Sequence, residues 1–105
     1  MTTEGLEYNI WMKVFQLTKD IVSRRVAGEL FLVPVAGNLA DMQRIFTLTK
    51  VAEFIWDRLD GQRSLSDIRN DVVEQFDVDE EQADSDIRAF VTELLTEGLI
   101  QEVMR

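Results

Sequence analysis

The hydrophobic pattern of this 105-residue chain changes period near residue 48, and that change constrains the fold more than any other feature. Before it, apolar residues fall in short β-prone runs broken by turn residues. After it, they recur every three or four residues to the end. Such a chain places a small sheet first and helices after it, an α+β order. At 12.1 kDa it buries roughly 65% of its unfolded surface, enough for one core and not two.

The first part reads as strands. Ile21-Val22-Ser23-Arg24-Arg25-Val26 is β-prone, Ala27-Gly28-Glu29 supplies a turn, and Leu30-Phe31-Leu32-Val33 returns as the second arm of a hairpin. Pro34 has no N–H to donate, so it ends the ladder or lies on an edge. Gly37-Asn38 and the polar residues through Asp41 form a loop. Arg44-Ile45-Phe46-Thr47-Leu48 is then a third strand, with Ile45 and Thr47 on one face and Phe46 on the other. The expectation is a three-stranded antiparallel meander. Arg24 and Arg25 are adjacent in a strand, so they take opposite faces. In residues 6–17, Tyr8, Ile10, Met12 and Val14 alternate as a strand would, although Trp11, Val14 and Phe15 also fit a helical face. We read this segment as a strand within an N-terminal extension, residues 1–19, that precedes a domain of residues 20–105.

The second part reads as three helices. Thr49 or Thr47 caps the first, whose stripe is Val51, Ala52, Ile55, Trp56 and Leu59, and Asp60-Gly61 ends it. Ser64, with Asp67 three residues on, opens the second, which buries Leu65, Ile68, Val72 and Phe76. Asp79 caps the third, Glu80 and Glu81 complement its dipole, and Gly98 stops it before Leu99-Ile100 folds back on the core.

Chemistry is excluded more readily than assigned. No cysteine means no disulfide, thiolate metal site or thiol nucleophile; no histidine removes the commonest general base and metal ligand. Asp77-Val78-Asp79-Glu80-Glu81 lacks the ligand alternation and the glycine of a calcium loop and is explained as a helix start. The glycines stand singly at element ends, so no phosphate-cradling loop exists. No catalytic residue, cofactor site or metal site is expected. Trp56 lies on a buried stripe; Trp11 is less constrained and is a candidate exposed anchor. Met1-Thr2-Thr3-Glu4-Gly5 has no basic stretch, and the apolar runs at 10–15 and 30–36 fall far short of the ~20 residues a bilayer span needs. A cytoplasmic chain without membrane contact is expected.

What remains is the backbone. The edge of a three-stranded sheet carries groups that take another chain as an added strand. If the third strand is an edge and the last helix lies beside it, the two form a groove.

The order of elements and several motifs together resemble the PqqD family. They are Leu48-Thr49, Ala52, Ile55-Trp56 and Leu59-Asp60-Gly61, then Ser64-Leu65 and Ile68, Phe76-Asp77-Val78, Asp86-Ile87, Phe90-Val91 and Leu94, and finally Gly98-Leu99-Ile100. The resemblance covers residues 20–102. Thr49-Lys50 departs from the family's usual start of the first helix, and the loop at 35–43 is longer. The resemblance implies a winged helix-turn-helix-like domain, three strands followed by three helices, acting as a non-catalytic peptide chaperone. It would bind the leader of a ribosomally made precursor by strand addition and present it to a radical S-adenosylmethionine (SAM) enzyme, as in pyrroloquinoline quinone (PQQ) biosynthesis. Carried over by position, the peptide-binding residues are Arg44, Ile45, Phe46 and Thr47 with Asp86, Ala89, Phe90 and Glu93.

Two rival readings are weaker. A DNA-binding winged helix fits the helix order. However, the last helix and its cap carry Asp79, Glu80, Glu81, Asp84, Asp86, Glu93 and Glu97 against only Arg88, which repels phosphate. Residues 1–52 hold six basic and five acidic groups, whereas residues 53–105 hold five and fifteen. The other rival is a homodimer in which residues 6–17 pair with a second copy's sheet edge, or the same segment occupies its own groove.

Overall fold

The structure is a computed structural model that describes residues 10–18, 21–34 and 46–103. Its elements are β1 (Val14–Leu17), β2 (Ile21–Val26), β3 (Glu29–Pro34), β4 (Phe46–Leu48), α1 (Lys50–Asp57), β5 (Asp60–Ser64), α2 (Leu65–Phe76), α3 (Glu80–Thr96) and β6 (Ile100–Glu102). The class is α+β: three helices and two three-stranded antiparallel sheets, ordered β2-β3-β4 and β5-β1-β6.

The first sheet is the expected meander. Ala27 and Gly28 both take positive φ, 53° and 85°, the backbone a two-residue hairpin needs to match the strand twist. Glu29 therefore belongs to β3 and pairs with Val26. In β4, Phe46 and Leu48 face the core and Thr47 is exposed. The pleat allows this only if alternate residues share a face. Its register against β3 pairs Leu30 with Leu48 and Leu32 with Phe46.

The helix starts follow the sequence, whereas α1 ends earlier than expected, at Asp57 with Arg58 as its C-cap and not at Asp60-Gly61. Thr49, not Thr47, caps α1, accepting from the Ala52 N–H at 3.1 Å. Ser64 and Asp67 form a reciprocal capping box on α2, each bond 3.1 Å. Asp79 accepts from the Gln82 N–H at 2.8 Å at the start of α3. Ile68, Val72, Ala83, Ile87, Val91 and Leu94 are fully buried where α2 and α3 pack together.

The expectation of one sheet followed by uninterrupted helices is corrected. Asp60 and Gly61 do not end α1; they belong to the next element. Asp60–Ser64 forms β5, which pairs with β1 at Val14–Ser64 and Gln16–Asp60 around a local irregularity. Ile100–Glu102 pairs with the other side of β1, from Phe15 opposite Glu102 to Leu17 opposite Ile100. β5 reads Asp-Gly-Gln-Arg-Ser, with no apolar alternation. Its extended form is set by pairing to β1 and by the Asp60 carboxylate, which accepts from the Gln62 and Arg63 N–H groups. Because β1 is paired on both sides within its own chain, Val14–Leu17 neither joins a second copy's sheet edge nor lies along β4.

Trp11 is also corrected: it is buried, 9% exposed, and not an exposed anchor. The backbone carbonyls of Trp11 and Lys13 accept from the N–H groups of Ser66 and Leu65 at 2.9 and 3.0 Å, pinning the segment against the start of α2. Arg24 and Arg25 are both exposed, because both faces of β2 beyond Ile21 meet solvent.

Candidate functional site

Among the described strands β4 is terminal in its sheet, and the chain passes from Leu48 through Thr49 directly into α1. On the side where α3 packs, a cleft of about 470 Å³ opens between the two helices. Its first wall is Thr49, Val51, Ala52 and Ile55; its second is Asp86, Ala89, Phe90 and Glu93. Ile55 and Phe90 are buried and form the floor, while Ala89 is exposed on the rim. Ala52 and Ala89, whose side chains end at Cβ, stand in its two walls. Its lining is largely apolar, with polar groups at Thr49, Asp86 and Glu93, the composition of a recognition site. The Asp86 carboxylate accepts from Gln82 Nε2 at 2.9 Å, one turn earlier on α3.

The structure brings together four of the eight residues carried over as peptide-binding: Asp86, Ala89, Phe90 and Glu93. Thr47 lines a smaller adjoining hollow of about 290 Å³ with Gly28, Thr49, Lys50 and Glu53. The Phe46 side chain turns into the core, leaving its backbone at the strand. Arg44 and Ile45 lie outside the described residues, as does the loop at 35–43. Sequence reasoning missed the α1 wall, because the whole stripe of that helix was given to the core. The available signal was Ala52, a small residue among Val51, Ile55 and Trp56.

An ion pair bounds the adjoining hollow. The Arg25 guanidinium reaches from β2 to the Glu53 carboxylate on α1. Hydrogen bonding to Arg25 holds the Glu53 carboxyl below its ordinary range, and the same bond raises Arg25. Among the described residues, no group of three or more Asp or Glu is placed to hold a metal ion. No described helix is long and apolar enough to cross a membrane.

Both the sequence and the fold of this chain have counterparts among known proteins. Residues 29–100 match the family described as coenzyme PQQ synthesis protein D, and the chain belongs to this PqqD family. Two solved structures share its fold. One is TbiB1 in complex with the TbiA(beta) leader peptide: TM-score 0.67 and 20% identity, covering 86% of this chain and 99% of that one. The other is a lasso peptide synthetase B1 complexed with the leader peptide: TM-score 0.67 and 23% identity, covering 83% and 96%. No curated protein matches the chain.

Proposed function

We propose that this chain is a non-catalytic adaptor that binds the leader of a ribosomally made precursor peptide and presents it to a modifying enzyme, of the radical SAM class. The observation that carries the reading is a terminal strand, β4, running into an apolar cleft walled by α1 and α3. A leader strand adds to β4 through main-chain hydrogen bonds, which supply affinity without regard to sequence. Its alternate side chains enter the cleft, which supplies selection. Membership of the PqqD family and the leader peptides bound by the two structural neighbours support this reading. In it, the β2–β3 hairpin is the wing and α1 to α3 are the helices of a winged-helix-like domain that works in the cytoplasm. Its third helix faces a peptide and not DNA, consistent with the acidic residues on α3.

The test is an amide chemical-shift map of the chain titrated with the leader encoded beside its gene. Shifts are expected at Thr47, Leu48, Ala89 and Phe90. Saturating peptide that leaves those signals unmoved overturns strand addition. For presentation, the chain is expected to raise the modification rate of the precursor by the neighbouring radical enzyme; an unchanged rate removes that role.

A further inference from the structure

The spacing of acidic and apolar residues along the α3 wall of the cleft specifies its ligand more closely than "peptide". Asp86 and Phe90 both line it, one turn apart. Four helical residues advance about 6 Å along the axis. Two residues of an extended strand advance about 6.6 Å, and residues two apart point to the same face. A strand lying alongside α3 therefore sets side chains i and i+2 opposite Phe90 and Asp86. The stretch around Phe90 is apolar, continued by Ile55, Ala52 and Ala89, and the lining ends at a second acidic residue, Glu93, one turn beyond it. The Asp86 end offers a carboxylate whose described hydrogen bond comes from a neutral amide, Gln82 Nε2, at 2.9 Å. Among the described residues no lysine or arginine lines the cleft, and the chain as a whole carries a net charge of −9.

We infer that the cleft selects peptides bearing a lysine or arginine two positions from a large apolar residue. The apolar side chain fills the space left by Ala52 and Ala89, and the cation meets Asp86. The inference rests on the peptide-binding reading and names the ligand class within it. Asp86 is then a specificity-determining residue: it adds discrimination between peptides, whereas β4 supplies affinity to all of them. A charge-assisted hydrogen bond at a partly desolvated rim is stronger than a neutral one, while an acidic ligand side chain at the same place is repelled.

The experiment selects binders from a random nine-residue display library with the full chain. The same selection is run with Asp86→Lys, with Asp86→Asn and with Glu74→Lys, a reversal on the exposed side of α2 that alters net charge equally. Wild-type selection is expected to enrich lysine or arginine two positions from a large apolar residue at least threefold over the input library. Asp86→Lys shifts that position to aspartate or glutamate, Asp86→Asn erases the preference in either direction, and Glu74→Lys retains it. A binder taken from the wild-type pool loses about tenfold in affinity for Asp86→Lys, or roughly 1.4 kcal/mol. Peptides that bind and shift the Thr47 and Ala89 amides without a basic preference overturn the inference and leave the groove reading standing. So does a preference that Asp86→Lys leaves unchanged. No enrichment, or binders that leave those amides unmoved, overturns both.

Discussion

The guanidinium of Arg69 lies over the indole of Trp11, 4.8 Å from the ring centroid, and Arg88 stands at 5.3 Å. Arg69 also reaches Asp84 at 3.1 Å and Glu80 at 3.5 Å, so one side chain on α2 ties the N-terminal segment to the start of α3. A buried tryptophan under two cations is a joint between three segments that are distant in sequence. Through it, β1 is held where it completes the second sheet.

Replacing Trp11 with alanine should therefore act on the whole domain. Truncating a buried tryptophan costs about 3–5 kcal/mol. Urea unfolding of Trp11→Ala is expected to show a loss in that range, and a loss below 1 kcal/mol would mean that the segment is not part of the cooperative fold.

Gly61 sits in β5 with φ of +82°, and a Cβ there would meet Gln16 Oε1 at 3.1 Å and Gln16 Cβ at 3.4 Å. Gly61→Ala combines a strained backbone with crowding against β1. It should destabilise by about 1–2 kcal/mol, mostly through backbone strain. Gly98 also has a positive φ, +76°, but open space around it, so Gly98→Ala isolates the backbone part. Thermal melts of the two variants separate strain from the β1 contact.

Acid should loosen the attachment of the hairpin to α1. The Glu53 carboxyl is depressed below its ordinary 4.5 by its hydrogen bond from Arg25. A depressed carboxyl contributes stability above its unfolded value that is lost as pH falls through the folded value. Arg25 is shifted upward and stays charged throughout that range. The stability difference between wild type and Arg25→Ala is expected to be constant above about pH 5.5 and to shrink steadily below pH 4.5. Denaturant titrations across that interval measure it, and parallel curves would show that the pair carries no linkage.

Filling the cleft should separate binding from folding. Ala89 is exposed on α3, so a tryptophan there leaves stability within about 0.5–1 kcal/mol. In Ala89→Trp the space above Phe90 is occupied, and affinity for the leader encoded nearby should fall at least about tenfold, or 1.4 kcal/mol. Calorimetry on a variant with an unchanged melting temperature makes the comparison; undiminished binding would place the peptide elsewhere.

The parts of the fold legible in advance are those governed by local chemistry. Ser64, Asp67 and Asp79 are read as caps because a side-chain oxygen two or three residues ahead of an orphan N–H is a local arrangement. The stripe Ile87, Phe90, Val91, Leu94 is visible because burial on one helix face imposes a period. The second sheet was not legible. β5 is polar and contains glycine, so nothing within it signals a strand; it is extended because β1 arrives from 45 residues earlier. The burial of Trp11 was not legible for the same reason, since the residues it packs with, Arg69 and Arg88 among them, are far from it in sequence. The α3 wall of the candidate site, Asp86, Ala89, Phe90 and Glu93, came from family resemblance and falls on one cleft. The α1 wall did not, because whether Ala52 is core or cleft depends on what lies across from it.

By itself, then, the sequence determined where the helices begin, that a strand meander precedes them, and that a protein without cysteine or histidine has few routes to catalysis. Tertiary structure decided that β1, β5 and β6 join as a second sheet, that Trp11 is a structural joint, and that two alanines on different helices face each other across an empty space. Caps and amphipathic stripes are properties of neighbouring residues in a chain. A cleft is a property of residues that are not neighbours, and its shape is set only when α1 and α3 pack.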